Sequence, residues 1–384
     1  MNLIRVKSII PFLLLVVVLS TTFFTGNMMR ALFFCASVLV FQPILKLFDD
    51  NALLILLYSI FYVLFAYING ALNISGVIYN LVPGVMFYIY GVWVGRCNYD
   101  KRDKLIWFYI IVIFAFASNI YLNLFMNIRS VGSIINTERV LESSNHVMIA
   151  SATLIGLYVS LGLACLPIFF FDKGWKLRRI IALLIFILSL LTVIFLLNRT
   201  GLLIASIVML VSFLYKSKGA SYDIVNSLFL ILIMLLVCYI LFSDSWTTIM
   251  TAYADRNIDI ATGGGRLNRW TEGCWYLITN PIGWSDKAKY AHNMWLDVAR
   301  VSGVIPFALL AIITYRYFKV LKKYCKVSRD VFFNVACISI FTCFMCTCFV
   351  EPVVQGETMY LNLIFMSFGL LTGLYKSQFH TPNE

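Results

Sequence analysis

Three side chains able to do chemistry, His292, Arg199 and Arg266, stand out in a chain that is otherwise mostly as apolar as lipid. His292 is one of only three histidines and sits beside Asn293 in the stretch YAHNMWLDVARVSG, Tyr290–Gly303. An unperturbed imidazole titrates at about pH 6.5, which makes it the best side chain for accepting a proton near neutrality. The bland alternative is a solvated loop or helix-start residue. His292 and Gly303 are eleven residues apart, close to three helical turns, so a helix starting near His292 and running into the span at 302 carries both on one face.

The arginines suit the complementary half of such chemistry. Upstream, ATGGGRLNRWTEGCWYLITNPIG is bounded by glycines at one end and an Asn-Pro-x-Gly turn at the other, which predicts a short helix over 266–279. A helical wheel puts Leu267, Trp270, Cys274, Leu277 and Ile278 on one side and Arg266, Arg269, Glu272, Gly273 and Tyr276 on the other. That is an amphipathic helix for a membrane interface, presenting two arginines and a carboxylate to something polar; anchoring to lipid head groups is the competing reading. Arg199 lies in LLNRTGLLIASIVML, in a four-residue polar break between two apolar runs. Interfacial arginines often only snorkel, yet the planar guanidinium fork also suits phosphate oxygens.

The elements that must position these groups are membrane helices. The 384 residues are 61% hydrophobic and only 12% charged, with a mean hydropathy of +0.88, far from the composition of soluble domains. The first apolar stretch, SIIPFLLLVVVLSTTFFTG, lacks a clear small-x-small cleavage site and reads as a first span rather than a signal peptide. At about 20 apolar residues per span, candidates fall at 8–25, 29–48, 51–70, 76–95, 105–124, 146–171, 180–197, 200–215, 225–242, 302–318, 331–350 and 359–375, about twelve in all. The second and third are separated only by FDDN, so a re-entrant or kinked pair is an alternative there. The fold class is therefore all-α: a polytopic transmembrane bundle over 1–242, a large loop with short amphipathic helices over 243–301, and a C-terminal bundle over 302–384.

The net charge of +12 would suggest nucleic acid in a soluble protein. Here the basic residues gather in RCNYDKRDK, DKGWKLRR, YKSKGASYD and RYFKVLKKYCKVSRD, which twelve spans and a cytoplasmic N-terminus place on one side. That puts both termini in the cytoplasm and Arg199, Arg266 and His292 together on the outer surface, with no nucleic-acid partner. Four of the ten cysteines, Cys337, Cys343, Cys346 and Cys348, crowd one apolar segment. CFMC has metal-ligand spacing, but no histidine or carboxylate accompanies it, so these read as helix-packing residues, with no disulfide framework and no metal or cofactor expected.

Over residues 263–306 the chain resembles the bacterial O-antigen ligase and polymerase family. The residues that carry the resemblance are Gly265-Arg266, Trp270, Asn280-Pro281-Ile282-Gly283, His292-Asn293 and Gly303, with the NRTG break at Arg199 resembling an earlier arginine motif. The span count and the late outer loop extend the likeness over most of the chain. The resemblance implies a multi-pass enzyme of the bacterial cytoplasmic membrane, acting outside it on undecaprenyl-diphosphate-linked oligosaccharide or polysaccharide. A chain-length regulator or a flippase would be further partners. Arg199 and Arg266 would flank the lipid diphosphate with Arg269 in support, His292 would activate the acceptor hydroxyl, and Asn293 and Gly303 would support the site. The reaction would be metal-independent and inverting, since arginines can stabilise the leaving diphosphate. Pro306, where ligases often carry Gly, Thr or Tyr, favours a polymerase using a lipid-linked repeat unit over a ligase using lipid A-core. A lipid-glycan flippase is the rival outside enzymes, although its ionisable residues would be expected inside spans. A scaffold using the long loop to dock a partner is a second rival.

Overall fold

A computed structural model describes residues 3–21, 28–127, 140–142, 149–172, 174, 176–216, 251, 265–351, 353 and 358–378. The expected span 225–242, residues 128–139 and 143–145 of the first outer loop, and residues 243–250 and 252–264 of the second lie outside the described residues. Among the described residues nine helical segments are long and apolar enough to cross a membrane: Asp50–Ile68, Ile74–Cys97, Arg102–Asn127, Ala152–Phe171, Lys176–Phe195, Arg199–Lys216, Val304–Val327, Val331–Val350 and Thr358–Ser377. The chain is a multi-pass, essentially all-helical membrane protein. Two further expected spans form shorter apolar helices, Ile9–Ser20 and Met29–Phe41. The second of these ends before Pro43, and the short Ile44–Leu47 helix separates it from Asp50–Ile68. The full helix, Met28–Phe41, has 14 residues and rises only about 21 Å, less than the hydrocarbon thickness. Among the described residues the one departure from an all-α reading is an antiparallel pair of short strands, Val140–Glu142 with Ile149–Ser151, in which Val140 pairs with Ser151.

By contacts the chain forms two compact units, one of residues 1–119, 265–329 and 348–384, the other of residues 120–264 and 330–347. The first is built around Pro83–Cys97 lying against Thr358–Ser377. Gly91 and Gly95 on one helix meet Gly369 and Gly373 on the other, a small-xxx-small pair on each side. A Cβ at Gly91 would come within 2.1 Å of the Met366 carbonyl oxygen, and one at Gly369 within 2.0 Å of that of Tyr88. Such backbone contact is how helices associate where lipid removes the hydrophobic driving force.

Asp50–Ile68 runs alongside and links the two ends of this unit. At its start Asp49 caps the helix through the N–H groups of Asn51 and Ala52. Asp49 also accepts from the Tyr88 hydroxyl at 3.0 Å and from Lys376 Nζ at 2.6 Å. Arg316 donates to Asn51 Oδ1 at 3.1 Å. At the other end, about 28 Å away for 19 residues, Asn69 donates to the carbonyls of Ile282 and Val301 at 2.9 and 3.0 Å. Two of the Lys/Arg-rich stretches, represented by Arg96 and Arg316, and the His292 segment therefore occupy opposite ends of this unit.

The second unit contains Ala152–Leu163 and Cys165–Phe171, broken at Ala164, then Lys176–Phe195 and Arg199–Lys216. Hydroxyls pair inside it, Tyr121 with Ser189 and Ser212 with Ser339, both at 2.7 Å. The Cys343 thiol donates to the Ser160 carbonyl at 3.0 Å, in keeping with a packing role for that cysteine. The basic stretch DKGWKLRR is not simply a solvated loop, because Arg178 is buried and ion-paired with buried Asp172.

Candidate functional site

The expected helix over 266–279 forms as Arg266–Thr279, started by Gly265 at φ 80°, a left-handed value that favours glycine. Its orientation follows the amphipathic pattern. Leu267, Trp275 and Ile278 are exposed, while Gly273 is buried against Leu296 and Arg266, Arg269 and Tyr276 are half-buried. The arginine face thus turns towards the protein and the apolar face away from it. Trp270, expected on the apolar side, is instead tied inward, its indole N–H donating to the Ala291 carbonyl at 2.9 Å.

The segment after this helix is locked to the start of the next span. The Asn280-Pro281-Ile282-Gly283 turn gives its Pro281 carbonyl to the Val304 N–H at 2.8 Å, and the Trp284 N–H donates to the Arg300 carbonyl at 2.7 Å. Trp284 is fully buried and stacks on Tyr276 at 5.9 Å. Arg300 donates to the carbonyls of Ser285 and Ala288 at 2.9 and 3.3 Å. Gly303 makes this possible, since at φ 83° its own Cβ would sit 2.2 Å from the Pro281 oxygen. The turn and Gly303, separated by twenty residues in sequence, are therefore two halves of one junction.

That junction corrects the expectation of one helix running from His292 into the span. The helix is Met294–Ser302, and Gly303 breaks it before Val304–Val327 begins. His292 lies outside it, at φ 55°. Asn293 is the N-cap, its side-chain oxygen accepting the Leu296 N–H at 3.2 Å, which stabilises the helix start. The buried carboxylate of Asp297 does the rest: Oδ1 accepts the Ala291 N–H at 2.6 Å and Oδ2 the Asn293 N–H at 3.2 Å. One carboxylate thus holds the peptide groups on both sides of His292.

The imidazole is half-buried, edge-on to the Tyr290 ring with centroids 4.7 Å apart. Its Nδ1 is buried and has no hydrogen-bond partner among the described residues, an arrangement that costs roughly 1–3 kcal/mol unless a ligand satisfies it. Burial, then the positive charges of Arg266 and Arg269, push its pKa down from 6.5 to about 4. Burial pushes Asp297 the other way, to about 6, against the two N–H donors, Arg300 and Arg269, which lower it. Burial also lowers Arg300, against Asp297 and Tyr62.

Arg266, Arg269, His292, Asn293 and Gly303 belong to the first unit; Arg199 belongs to the second and is described there. Arg199 is half-buried and opens the helix Arg199–Lys216. Asn198 precedes it, accepting the Gly201 N–H at 3.0 Å and donating to the Ala152 carbonyl at 3.0 Å. Leu197 stands at φ 50°. Among the described residues, Leu197 and His292 are the two non-glycine residues with positive φ. Such strain, about 1–3 kcal/mol each, gathers at functional sites, and here each instance lies at or beside a candidate residue.

Sequence reasoning missed Asp297, Tyr290, Arg300 and Asn69. Asp297 had a signal: it is the one carboxylate in MWLDVARVS, four residues after the cap and so directly above the helix start. Asn69 had none, because its partners are backbone carbonyls more than two hundred residues away. No protein-family model matches this chain, and no curated protein matches it at a significant level.

Proposed function

We propose that this protein is a membrane glycosyltransferase, a polysaccharide polymerase that moves a glycan from undecaprenyl diphosphate onto a hydroxyl of a second lipid-linked repeat unit. The observation that carries the reading is His292: an imidazole held in a strained backbone by Asp297, with an unsatisfied buried nitrogen, under the influence of two arginines on the inward face of an interfacial helix. The opposite ends taken within this unit by the His292 segment and by the basic stretches at Arg96 and Arg316 support an extracytoplasmic site under positive-inside bias.

In the proposed reaction the acceptor hydroxyl oxygen attacks the anomeric carbon. The bond from that carbon to the diphosphate oxygen breaks, the diphosphate leaves with the electron pair, and the hydroxyl proton passes to His292. Arg266 and Arg269 hold the charge that develops on the diphosphate. One displacement inverts the anomeric carbon. The low pKa has a consequence for the order of events. His292 is neutral and able to accept a proton, but it is a weak base while the arginines face it alone. A diphosphate seated on Arg266 and Arg269 cancels their field and makes the imidazole more basic when the acceptor arrives.

The test is polymer formation from purified lipid-linked repeat units by wild type and His292→Ala at equal protein, with donor binding measured in parallel. A positioned base contributes about 10²–10⁴-fold, so turnover falls at least 100-fold while donor binding persists. Retained turnover removes His292 from the mechanism. Supplying lipid A-core in place of the second repeat unit separates a ligase from a polymerase by product. Translocation of the lipid-linked glycan into proteoliposomes with no product would identify a flippase.

A further inference from the structure

At the end of the first unit remote from His292, the helices Leu3–Ser20, Pro83–Cys97 and Arg102–Asn127 leave between them a cavity of about 340 Å³. The end is fixed by Arg96, which donates to the Lys46 carbonyl at 3.2 Å, close in sequence to the Asp49 cap. Aromatic rings form much of the wall: Phe12, Tyr90, Trp93, Trp107 and Phe108. They brace one another, with Tyr90 5.8 Å from Trp93 and Phe12 5.8 Å from Phe108. Ile9, which also lines the cavity, is 41% exposed, and Leu13 one turn on is 56% exposed, so the cavity borders an outward-facing apolar surface of the kind that meets acyl chains. Lys104 and Asn98 complete the lining.

Charge decides the ligand. Around the end of Pro83–Cys97 and the start of Arg102–Asn127 the chain carries Arg96, Lys101, Arg102 and Lys104 in sequence, against Asp100 and Asp103. An apolar cavity of this size falls in the range of ordinary ligand pockets, about 300–1,000 Å³. One with a lysine in its lining and an excess of positive charge around it suits a phosphate head group above a hydrocarbon chain, and basic pockets between membrane helices bind anionic lipids on this principle. We propose that the cavity is a binding site for an anionic phospholipid of the surrounding bilayer. One acyl chain lies between Trp93 and Trp107, with the lipid phosphate at Lys104. The site is independent of the glycosyl-transfer reading, since it shares no residue with it.

The experiment is native mass spectrometry of the full-length protein, purified in mild detergent and offered phosphatidylglycerol and phosphatidylcholine at equal concentration. Wild type retains phosphatidylglycerol at several-fold higher occupancy. The double substitution Lys101→Gln and Lys104→Gln, at exposed positions that leave the fold alone, brings phosphatidylglycerol down to the level of phosphatidylcholine. Ile111→Trp fills the cavity from its wall and removes the retained lipid even with both lysines present. Equal occupancy of the two lipids in wild type overturns the proposal. So does phosphatidylglycerol retention unchanged in either variant, or displacement of the lipid by excess glycerol phosphate, which would mark a site for the phosphate alone.

Discussion

Asp297 controls His292 through the backbone rather than through the imidazole, accepting the N–H groups of Ala291 at 2.6 Å and Asn293 at 3.2 Å from either side of it. A histidine at φ 55° is uncommon but tolerated, and these two bonds offset part of its cost. Hydrogen bonds to a charged acceptor are worth about 1.5–3 kcal/mol each.

Asp297→Ala should therefore release the turn. The expected outcome is a loss of polymer formation of at least 10-fold, while donor affinity changes little, because Arg266 and Arg269 sit on a different helix. Turnover and donor binding measured on the same preparation check this. Loss of both together, with loss of monodisperse protein, would reduce Asp297 to a folding residue.

The pH profile gives a second check. The free-enzyme limb in kcat/KM that belongs to His292 should lie near pH 4, since burial and the two arginines lower it to about 4. As pH falls through that value the imidazole takes a proton and can no longer accept one, so activity is lost on the acid side. Asp297, raised to about 6, protonates first on the way down and contributes a shallower decline there. Arg269→Gln should move the His292 limb upward, though not as far as 6.5, because burial is the larger cause and is untouched. A limb that stays in place would mean Arg269 does not act on the imidazole.

Much of this architecture was legible in the sequence, because membrane helices must satisfy their own backbone and so announce themselves as long apolar runs. The helix over 266–279 was legible to its ends for the same kind of reason: glycines before it and Asn-Pro after it leave no choice of boundary. The break at Gly303 was not. Apolar periodicity continues smoothly from Met294 into Val304, and only the approach of Pro281 to Gly303, within 2.2 Å of where a Cβ would be, shows why the helix must stop. The facing glycine pairs were equally hidden, since neither Gly91-x-x-x-Gly95 nor Gly369-x-x-x-Gly373 names its partner.

Those pairs carry a stability prediction. Gly369→Ala places a methyl 2.0 Å from the Tyr88 carbonyl oxygen, on backbone that cannot swing aside as a side chain would. Overpacking of this kind costs about 1–3 kcal/mol, so the thermal midpoint of the purified protein should drop by several degrees. Gly373→Ala, which meets the Val92 carbonyl oxygen at 2.2 Å, should do the same. An unchanged midpoint in both would show that the two helices do not meet along these glycines.

The most demanding prediction concerns the order of binding. With no donor bound, His292 answers to burial and to the charges of Arg266 and Arg269, all of which favour the neutral ring. A diphosphate on those arginines adds negative charge beside the imidazole and removes the two Coulombic causes while burial remains. The imidazole pKa must then rise, and by linkage a protonated His292 must bind the diphosphate more tightly than a neutral one. With only three histidines in the chain, the ring resonances can be assigned by comparison with His292→Gln and followed by NMR as pH is varied. The expected result is an upward move of the His292 titration on addition of a non-hydrolysable lipid diphosphate, abolished in the double substitution Arg266→Gln and Arg269→Gln. The kinetic counterpart is an acid limb that lies higher in kcat, which reports the donor-bound enzyme, than in kcat/KM, which reports the free one. If the titration does not move, the arginines hold something other than the donor diphosphate, and base activation by the donor is wrong even where His292 itself is needed for turnover.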